Sequence, residues 1–267
     1  MSHHIETAPD TKIFVEDEGE GQPVIFLHGW PLNNRMFHRQ KQAIIENGCR
    51  YIGIDLRGYG QSDKPEENYS YNIFASDIQQ VIKELELSNY TIAGFSMGGP
   101  VALRFAVKFA DKDLKQLFLL GPAAPSFTKR QGYELGMDKE EVTDLMEALE
   151  DDRRSALENF GKNFYYQDVP GDVRAELLEL SMQASKQATI SSAEALRDED
   201  LRDEVGHIHV PVTIFHGKHD AICGFEFAED LEKRIPNAEI IPFEESGHGL
   251  HYEEAEKLNK EMLKRLR

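Results

Sequence analysis

A serine flanked by glycines carries the strongest chemical signal in this sequence of 267 residues. Ser96 lies in the hexapeptide Gly94–Gly99 (GFSMGG), after the apolar run Tyr90–Ala93 and before a run compatible with a helix. Flanking glycines allow a sharp turn from strand to helix, and such a turn raises the serine hydroxyl above the edge of a sheet. The start of the helix also presents free N–H groups to developing negative charge. This setting predicts that Ser96 is a nucleophile that forms acyl-enzymes on small, mainly apolar substrates.

A serine hydroxyl needs a base to take its proton and a third group to orient that base. Two later polar positions supply both groups. Asp220 follows the apolar run Val212–Gly217, and His248 lies in a glycine-flanked loop after the run Ile240–Phe243. Serine, acid and histidine then come in the chain order that accompanies a nucleophile at a strand-to-helix elbow. The sequence therefore predicts a catalytic triad of Ser96, Asp220 and His248.

Asp220 and His248 each have a plainer interpretation. Asp220 could cap a helix or stabilise a turn, and His248 could be a histidine of a surface loop. His219 and His251 are the nearest competitors for the role of base, although His251 lacks the glycine-flanked setting. His216, at the end of a predicted strand, is interpreted as a buried structural group.

Acyl transfer also needs N–H donors aimed at the oxygen that becomes negatively charged. The backbone N–H of Met97, directly after the nucleophile, is one predicted donor. The loop that follows the early strand, Phe26–Leu32 (FLHGWPL), supplies the second from Trp30. Pro31 has no N–H and biases Trp30 toward an extended conformation. His28 is interpreted as a residue that hydrogen-bonds the loop.

Short apolar runs bounded by Gly, Pro or Asp must position these groups. They are continuous rather than alternating, which predicts buried strands of a parallel sheet covered on both faces. The predicted strands are Thr11–Asp17, Pro23–His28, Cys49–Leu56, Tyr90–Phe95, Leu114–Gly121, Val210–Gly217 and Ala238–Phe243. Helical patterns alternate with them at Arg35–Asn47, Ile73–Leu87, Met97–Phe109, Phe225–Arg234 and Glu253–Leu266. This alternation predicts an α/β fold with a mostly parallel, doubly wound sheet.

The alternation stops between residues 125 and 204. This stretch has helical patterns, no convincing strand, and 10 Lys/Arg against 20 Asp/Glu. Its apolar anchors are Leu145, Leu149, Leu177, Leu178 and Leu180. We predict a helical lid at 125–204 inserted into a core made of residues 1–124 and 205–267.

A second polar loop, Asp55–Pro65, contains several glycines. Its spacing matches no dinucleotide-binding fingerprint, and no Walker-type lysine follows. We predict a structural loop in which Arg57 and Asp63 have hydrogen-bonding or ionic partners.

Composition narrows the possible partners. The formal net charge of −18 disfavours nucleic acid and anionic membrane surfaces. Cys49 and Cys223 are too few for a disulfide framework and form no CxxC pair. The start of the chain resembles no signal peptide, and no run of about 18 apolar residues occurs. These features predict a cytoplasmic protein with neither a nucleic-acid nor a membrane partner, and they leave a homo-oligomer open.

The motifs HGWP, DLRGYGQSDKP, GFSMGG, GKHD and SGHG occur in the order and spacing of the α/β-hydrolase family. The chain outside the predicted lid resembles that family throughout. It is most similar to the bacterial aryl esterase and cofactor-free haloperoxidase (perhydrolase) branch. The resemblance implies the same triad and the same two backbone donors, and no cofactor or metal. It also implies a substrate pocket formed by Trp30, Phe127, Phe160, Phe164, Ile222 and Phe225.

The Trp30–Pro31 pair is associated in this branch with perhydrolysis, in which hydrogen peroxide replaces water on the acyl-enzyme. One departure follows the triad acid: where the family more often has a Val-Pro pair, this chain has Cys223 and Gly224. That change puts the substrate preference in doubt and leaves the mechanism intact.

Three functional interpretations follow. The first is a carboxylesterase that cleaves small, mainly apolar esters, with perhydrolysis as a side activity. The second is a hydrolase of carbon–carbon bonds or lactones on the same triad. The third is a receptor that keeps the fold to sense a ligand. Dehalogenases and epoxide hydrolases use an acidic nucleophile at the elbow, so Ser96 argues against both.

Overall fold

Most strands lie side by side and run in the same direction. The computed structural model describes residues 1–67 and 69–266, and within them eight strands form one sheet in the order β1-β2-β4-β3-β5-β6-β7-β8. The strands are β1 (Ser2–Ala8), β2 (Thr11–Glu18), β3 (Gln22–Leu27), β4 (Cys49–Ile54), β5 (Tyr90–Phe95), β6 (Leu114–Leu120), β7 (Val212–Gly217) and β8 (Ala238–Phe243). Neighbours from β4 to β8 along this order are parallel, whereas β2 is antiparallel to both β1 and β4. The predicted mostly parallel sheet is confirmed.

The first strand, β1, is absent from the sequence-based prediction. It forms an edge of the sheet, where it pairs with β2, and Ile5 is its only buried residue. An edge strand of this kind needs no apolar run, because backbone hydrogen bonds to its neighbour hold it in place. The polar sequence before Thr11 therefore gave no periodic signal.

Helices cover both faces of the sheet. They are α1 (His38–Glu46), α2 (Tyr71–Glu84), α3 (Gly98–Lys108), α4 (Lys139–Gly161), α5 (Gly171–Met182), α6 (Lys186–Asp198), α7 (Glu226–Arg234), α8 (Leu250–Glu253) and α9 (Ala255–Arg265). Alternate residues of β3 enter two apolar cores: Ile25 lies in one and Phe26 in the other. Helices α2, α3 and α7 contribute to the first core, and α1 and α9 to the second. The doubly wound arrangement is thus confirmed.

Three helices, α4, α5 and α6, lie between β6 and β7. Ser185 is the N-cap of α6, where its hydroxyl accepts the N–H of Ala188 at 3.0 Å. Helix α4 is kinked at Asp152, whose φ of −137° and ψ of 86° are not helical. This stretch contains no strand in the part described, only isolated bridges that join Thr128 to Met137 and Arg130 to Tyr133. The boundaries 125–204 for a lid stay a prediction.

Two loops at the carboxyl edge of the sheet are tied together by buried charges. The Asp55 carboxylate accepts the Asn34 backbone N–H at 2.8 Å and the Gln61 N–H at 2.8 Å. Arg57 donates twice to Asp77, at 2.6 Å each, in a buried ion pair. Asp63 accepts the N–H of Lys12 at 2.7 Å. The predicted partners of Arg57 and Asp63 are therefore present, and the loop after β3 is held firmly.

No helix among the described residues is both long and apolar enough to cross a membrane.

Burial disfavours the charged imidazolium of three of the histidines inside the protein. Burial lowers the pKa of His28 and His216, and it lowers the pKa of His251 to about 3. The unfolded chain binds protons on these side chains near their ordinary pKa of 6.5, whereas the folded chain does not. The stability that the neutral forms contribute is therefore complete above pH 6.5 and is lost as the pH falls toward the folded pKa.

We expect the free energy of unfolding to decrease as the pH falls from 6.5 to 5, with His251 alone accounting for about 2 kcal/mol. Urea unfolding at a series of pH values measures this slope. His251→Gln is expected to flatten the slope, and His207→Gln, which changes an exposed histidine, is the matched control. Equal slopes for the two variants would contradict the assignment.

Candidate active site

Ser96 occupies the turn between β5 and α3. Its φ is +50°, in the left-handed region that non-glycine residues rarely adopt. A Cβ at Gly94 would clash with the carbonyl oxygen of Gly98, and a Cβ at Gly98 would clash with that of Leu27. The two glycines let backbone segments pack against each other closely enough to maintain this turn. Together they explain the spacing of the motif.

Hydrogen bonds hold the turn on both sides of the serine. The Ser96 N–H donates to the carbonyl of Leu120 at 2.9 Å. The Ser96 carbonyl accepts the N–H groups of Gly99 at 2.9 Å and Ala123 at 3.1 Å. The backbone of Ser96 is thus anchored to the end of β6, and its side chain faces a cavity.

Asp220 and His248 form a buried pair. The distance between Asp220 Oδ2 and His248 Nδ1 is 2.7 Å, and both side chains are almost wholly inaccessible. Asp220 Oδ1 accepts the N–H groups of Ile222 at 2.9 Å and Cys223 at 2.8 Å. Both oxygens of this carboxylate therefore accept hydrogen bonds that fix its orientation.

The surroundings keep Asp220 ionised. Burial by itself would raise the pKa of the carboxyl group, but His248, His216 and the N–H of Cys223 outweigh burial and hold this pKa below its ordinary value. An ionised carboxylate at Nδ1 favours the tautomer in which His248 Nε2 is free to accept a proton. It also stabilises the imidazolium that forms once that proton has been transferred.

Two aromatic rings pack against His248. Phe95, the residue before Ser96, packs on the His248 ring with 4.8 Å between the ring centroids, and the ring centroid of Phe164 lies 5.2 Å from that of His248. A Cβ at Gly121, next to the Leu120 carbonyl that anchors Ser96, would lie 3.5 Å from His248 Nδ1. Ser96, His248 and Asp220 therefore lie close together, beyond the ends of β5, β6, β7 and β8.

The other histidines near this site have different surroundings. His219 stacks on Tyr166 with 3.7 Å between ring centroids. His251 is buried against aromatic rings, including that of Phe95. His216 Nε2 lies 2.6 Å from the carbonyl of Cys223, an arrangement in which the imidazole donates. None of the three approaches the Asp220 carboxylate as closely as His248, which lies 2.7 Å from it.

The loop after β3 lies directly against the nucleophile. A Cβ at Gly29 would lie 2.8 Å from the Cβ of Ser96. The Trp30 indole N–H donates to the carbonyl of Thr189 on α6 at 2.7 Å, which fixes the ring. Within residues 1–67 and 69–266, the backbone N–H groups of Trp30 and Met97 donate to no protein acceptor. Both remain available to a developing oxyanion.

His28 supports this loop from behind. Its Nε2 accepts the N–H of Leu56 at 3.0 Å, and its Nδ1 lies 2.9 Å from the carbonyl of Gly29. Burial lowers the pKa of this imidazole, which favours the neutral form that these two contacts require. The interpretation of His28 as a structural residue agrees with this placement.

A small apolar cavity of about 40 Å³ opens beside Ser96. Of the residues that the sequence assigns to a substrate pocket, Trp30, Phe127, Phe160 and Ile222 line it. The remaining lining residues are Ala123, Met137, Val142, Leu145, Ala193 and Leu196. Apart from Ser96 every lining side chain is apolar or aromatic, so the cavity suits a hydrocarbon group.

Two assigned pocket residues lie elsewhere. Phe164 packs on the ring of His248 and does not line the cavity. Phe225 lies at the start of α7, where its ring contacts His216 at 5.7 Å and the Lys218 ammonium at 3.5 Å. Ile222, in the turn that follows Asp220, lines the cavity, whereas Phe225 is not among its lining residues. A role of Phe225 in substrate contact stays a prediction.

Sequence reasoning missed most of the cavity wall contributed by the helices after β6. Leu145 was recognised only as an apolar anchor, and Val142, Ala193 and Leu196 carried no separate signal. These residues lie on apolar faces of α4 and α6, where periodicity indicates burial without saying what the face covers.

In the described part of the chain, no group of three or more His, Cys, Asp or Glu side chains is arranged to hold a metal ion.

Known proteins share this architecture over the full length of the chain. The structure of an esterase (EaEST) from Exiguobacterium antarcticum is 47% identical, covers 100% of this chain and 99% of that chain, and has a TM-score of 0.98. The AB hydrolase superfamily protein YisY of Bacillus subtilis (strain 168) is 48% identical over 97% of both chains. A putative non-heme chloroperoxidase of Synechocystis is 32% identical over 95% of this chain and 94% of that protein.

The family model described as the alpha/beta hydrolase fold matches residues 22–255. This range begins with β3 and extends past His248, so it contains Ser96, Asp220 and His248. The resemblance to the esterase and haloperoxidase branch is confirmed by the relatives. The chain belongs to the α/β-hydrolase family.

Proposed function

We propose that this hydrolase is a serine carboxylesterase acting on small, mainly apolar esters. The observation that carries the proposal is the buried Asp220–His248 pair beside Ser96, whose positive-φ turn opens into an apolar cavity. The esterase named among its relatives supports the same reaction class. Two free, buried cysteines, Cys49 and Cys223, support a cytoplasmic site of action, because disulfides are rare there.

In the first half of the proposed reaction, Ser96 Oγ attacks the ester carbonyl carbon. His248 Nε2 takes the hydroxyl proton, and Asp220 stabilises the resulting imidazolium through Nδ1. The N–H groups of Trp30 and Met97 donate to the carbonyl oxygen as it becomes negative. Such donors act strongly here because the surrounding side chains exclude water.

Collapse of the tetrahedral intermediate breaks the ester C–O bond. His248 then gives its proton to the departing alkoxide, so the alcohol leaves neutral and the acyl group stays on Ser96. In the second half, His248 takes a proton from water, and the hydroxide equivalent attacks the acyl carbon. The acid is released and the Ser96 hydroxyl is restored.

We expect Ser96→Ala and His248→Ala each to lower kcat for p-nitrophenyl acetate by about 10⁴-fold or more, because the triad acts as a unit. Steady-state kinetics with circular dichroism as a check of folding measure this effect. Ser192→Ala, which changes another fully buried serine, is the matched control and should keep its activity. Normal turnover by Ser96→Ala would refute the proposed nucleophile.

Phe160 closes one side of the cavity and packs edge-on against Trp30, with ring centroids 4.9 Å apart. We expect Phe160→Ala to raise kcat/KM for p-nitrophenyl octanoate relative to the acetate by about tenfold, since each added methylene gains room. A panel of esters of increasing acyl length measures this ratio. Phe109→Ala, which changes a partly buried ring beyond the end of α3, should leave the ratio unchanged.

Perhydrolysis is a second candidate activity, favoured by the Trp30–Pro31 pair and by the chloroperoxidase named among the relatives. In it, hydrogen peroxide attacks the acyl-enzyme and His248 takes its proton, which yields a peracid. Pro31 lines a cavity of about 340 Å³ next to the loop after β3.

We expect Pro31→Leu to lower the ratio of peracid to acid formed from an acetate ester in the presence of peroxide. Direct assay of peracid beside titration of total acid gives this ratio. An unchanged ratio would exclude a part for Pro31 in selecting the nucleophile.

A further inference from the structure

A second, larger cavity lies on the far side of Phe160 from Ser96. It has a volume of about 340 Å³ and lies between α4, α5 and the loop after β3. Phe160 lines both this chamber and the Ser96 cavity. Trp30 borders the Ser96 cavity and the next residue, Pro31, borders the chamber. One aromatic side chain and one stretch of loop therefore separate the two spaces.

The chamber has an apolar floor and a positively charged mouth. Pro31, Leu157, Phe160, Leu177 and Leu178 are among the residues that form its apolar surface. Its charged lining residues are three cations and one carboxylate: Arg154, Lys162, Arg174 and Glu158. This excess of positive charge is local, since the stretch 125–204 carries 20 acidic against 10 basic side chains.

The cations at the mouth are only weakly engaged by carboxylates. Arg154 contacts Glu158 at 3.1 Å in an exposed pair, and Arg174 lies 3.8 Å from the fully exposed Asp168. Lys162 donates to the side-chain oxygen of Asn159 at 2.8 Å and has no salt-bridge partner in the part of the chain described. Exposed pairs of this kind exchange readily for another anion.

The two cavities differ in size and in charge, which assigns them to different halves of an ester. The Ser96 cavity, at about 40 Å³, is small and apolar and suits a short acyl group. The chamber of about 340 Å³ has room for a larger alcohol group.

We propose that the Phe160 side chain turns aside when substrate binds, so that the chamber receives the alcohol half of the substrate, and that Lys162 and Arg174 on its lining favour alcohols that end in an anionic group. The preferred substrates are then esters of a short acyl group with a larger, mainly apolar alcohol that carries a carboxylate. This inference rests on the proposed esterase function and deepens it. The anionic group takes no part in the bond changes: the ester C–O bond breaks, and the alcohol oxygen receives its proton from His248.

The test compares para-acetoxybenzoate with para-acetoxybenzamide, which share the acetyl group and the ring and differ in charge. We expect the ratio of their kcat/KM values to fall about fivefold in the double variant Lys162→Gln/Arg174→Gln, because two screened charge interactions are lost. The matched control is Lys108→Gln/Lys112→Gln, which removes the same charge from exposed positions at the distant end of α3. The control should keep the ratio of the unmutated protein. Raising the salt concentration should lower the ratio for the unmutated protein and for the control, but not for the double variant.

The outcomes separate this inference from the function on which it rests. If the unmutated protein hydrolyses the benzamide ester through Ser96 but the ratio is the same in all three proteins, the anionic preference is wrong and the esterase function stands. An equal fall of the ratio in the double variant and in the control would also overturn the anionic preference, because such a fall would reflect net charge alone. If the unmutated protein hydrolyses neither ester, the proposed function fails, and this inference fails with it.

Discussion

The left-handed backbone conformation of Ser96 is the constraint on which the rest of the site depends. A non-glycine residue in this region costs on the order of 1–3 kcal/mol, and it persists only where the surroundings enforce it. Here the enforcement comes from the close backbone contacts at Gly94 and Gly98 and from hydrogen bonds to Leu120 and Ala123. The same turn exposes the hydroxyl, leaves the Met97 N–H unused and begins α3.

Charge and packing then convert this turn into a chemical site. Asp220 is held ionised within the protein by His248, by His216 and by the N–H groups of its own turn. The rings of Phe95 and Phe164 pack against His248 and restrict its movement, so that little reorganisation is needed when a proton is transferred. The indole of Trp30 bonds to α6 and thereby links the oxyanion loop to the helices that cover the cavity.

The sequence predicts some of these features well because their signals are local. Continuous apolar runs identify β2 to β8, and glycine spacing with chain order identifies Ser96, Asp220 and His248 as candidates. Edge strand β1 is not predicted, because a strand held by backbone pairing needs no apolar pattern. Most of the cavity wall is also not predicted, because Val142 and Leu196 come near Ser96 only through tertiary packing. Phe225 is near Asp220 in sequence but is not among the residues that line the cavity beside Ser96.

Covalent labelling would identify the nucleophile of this protein. The protein would be treated with a fluorophosphonate, digested and mapped by mass spectrometry while hydrolysis of p-nitrophenyl acetate is followed in parallel. If Ser96 is the nucleophile, we expect it to be the one modified residue and hydrolysis to be lost in proportion to its labelling. Complete loss of hydrolysis with Ser96 unmodified, or with the label on another residue, would contradict this expectation.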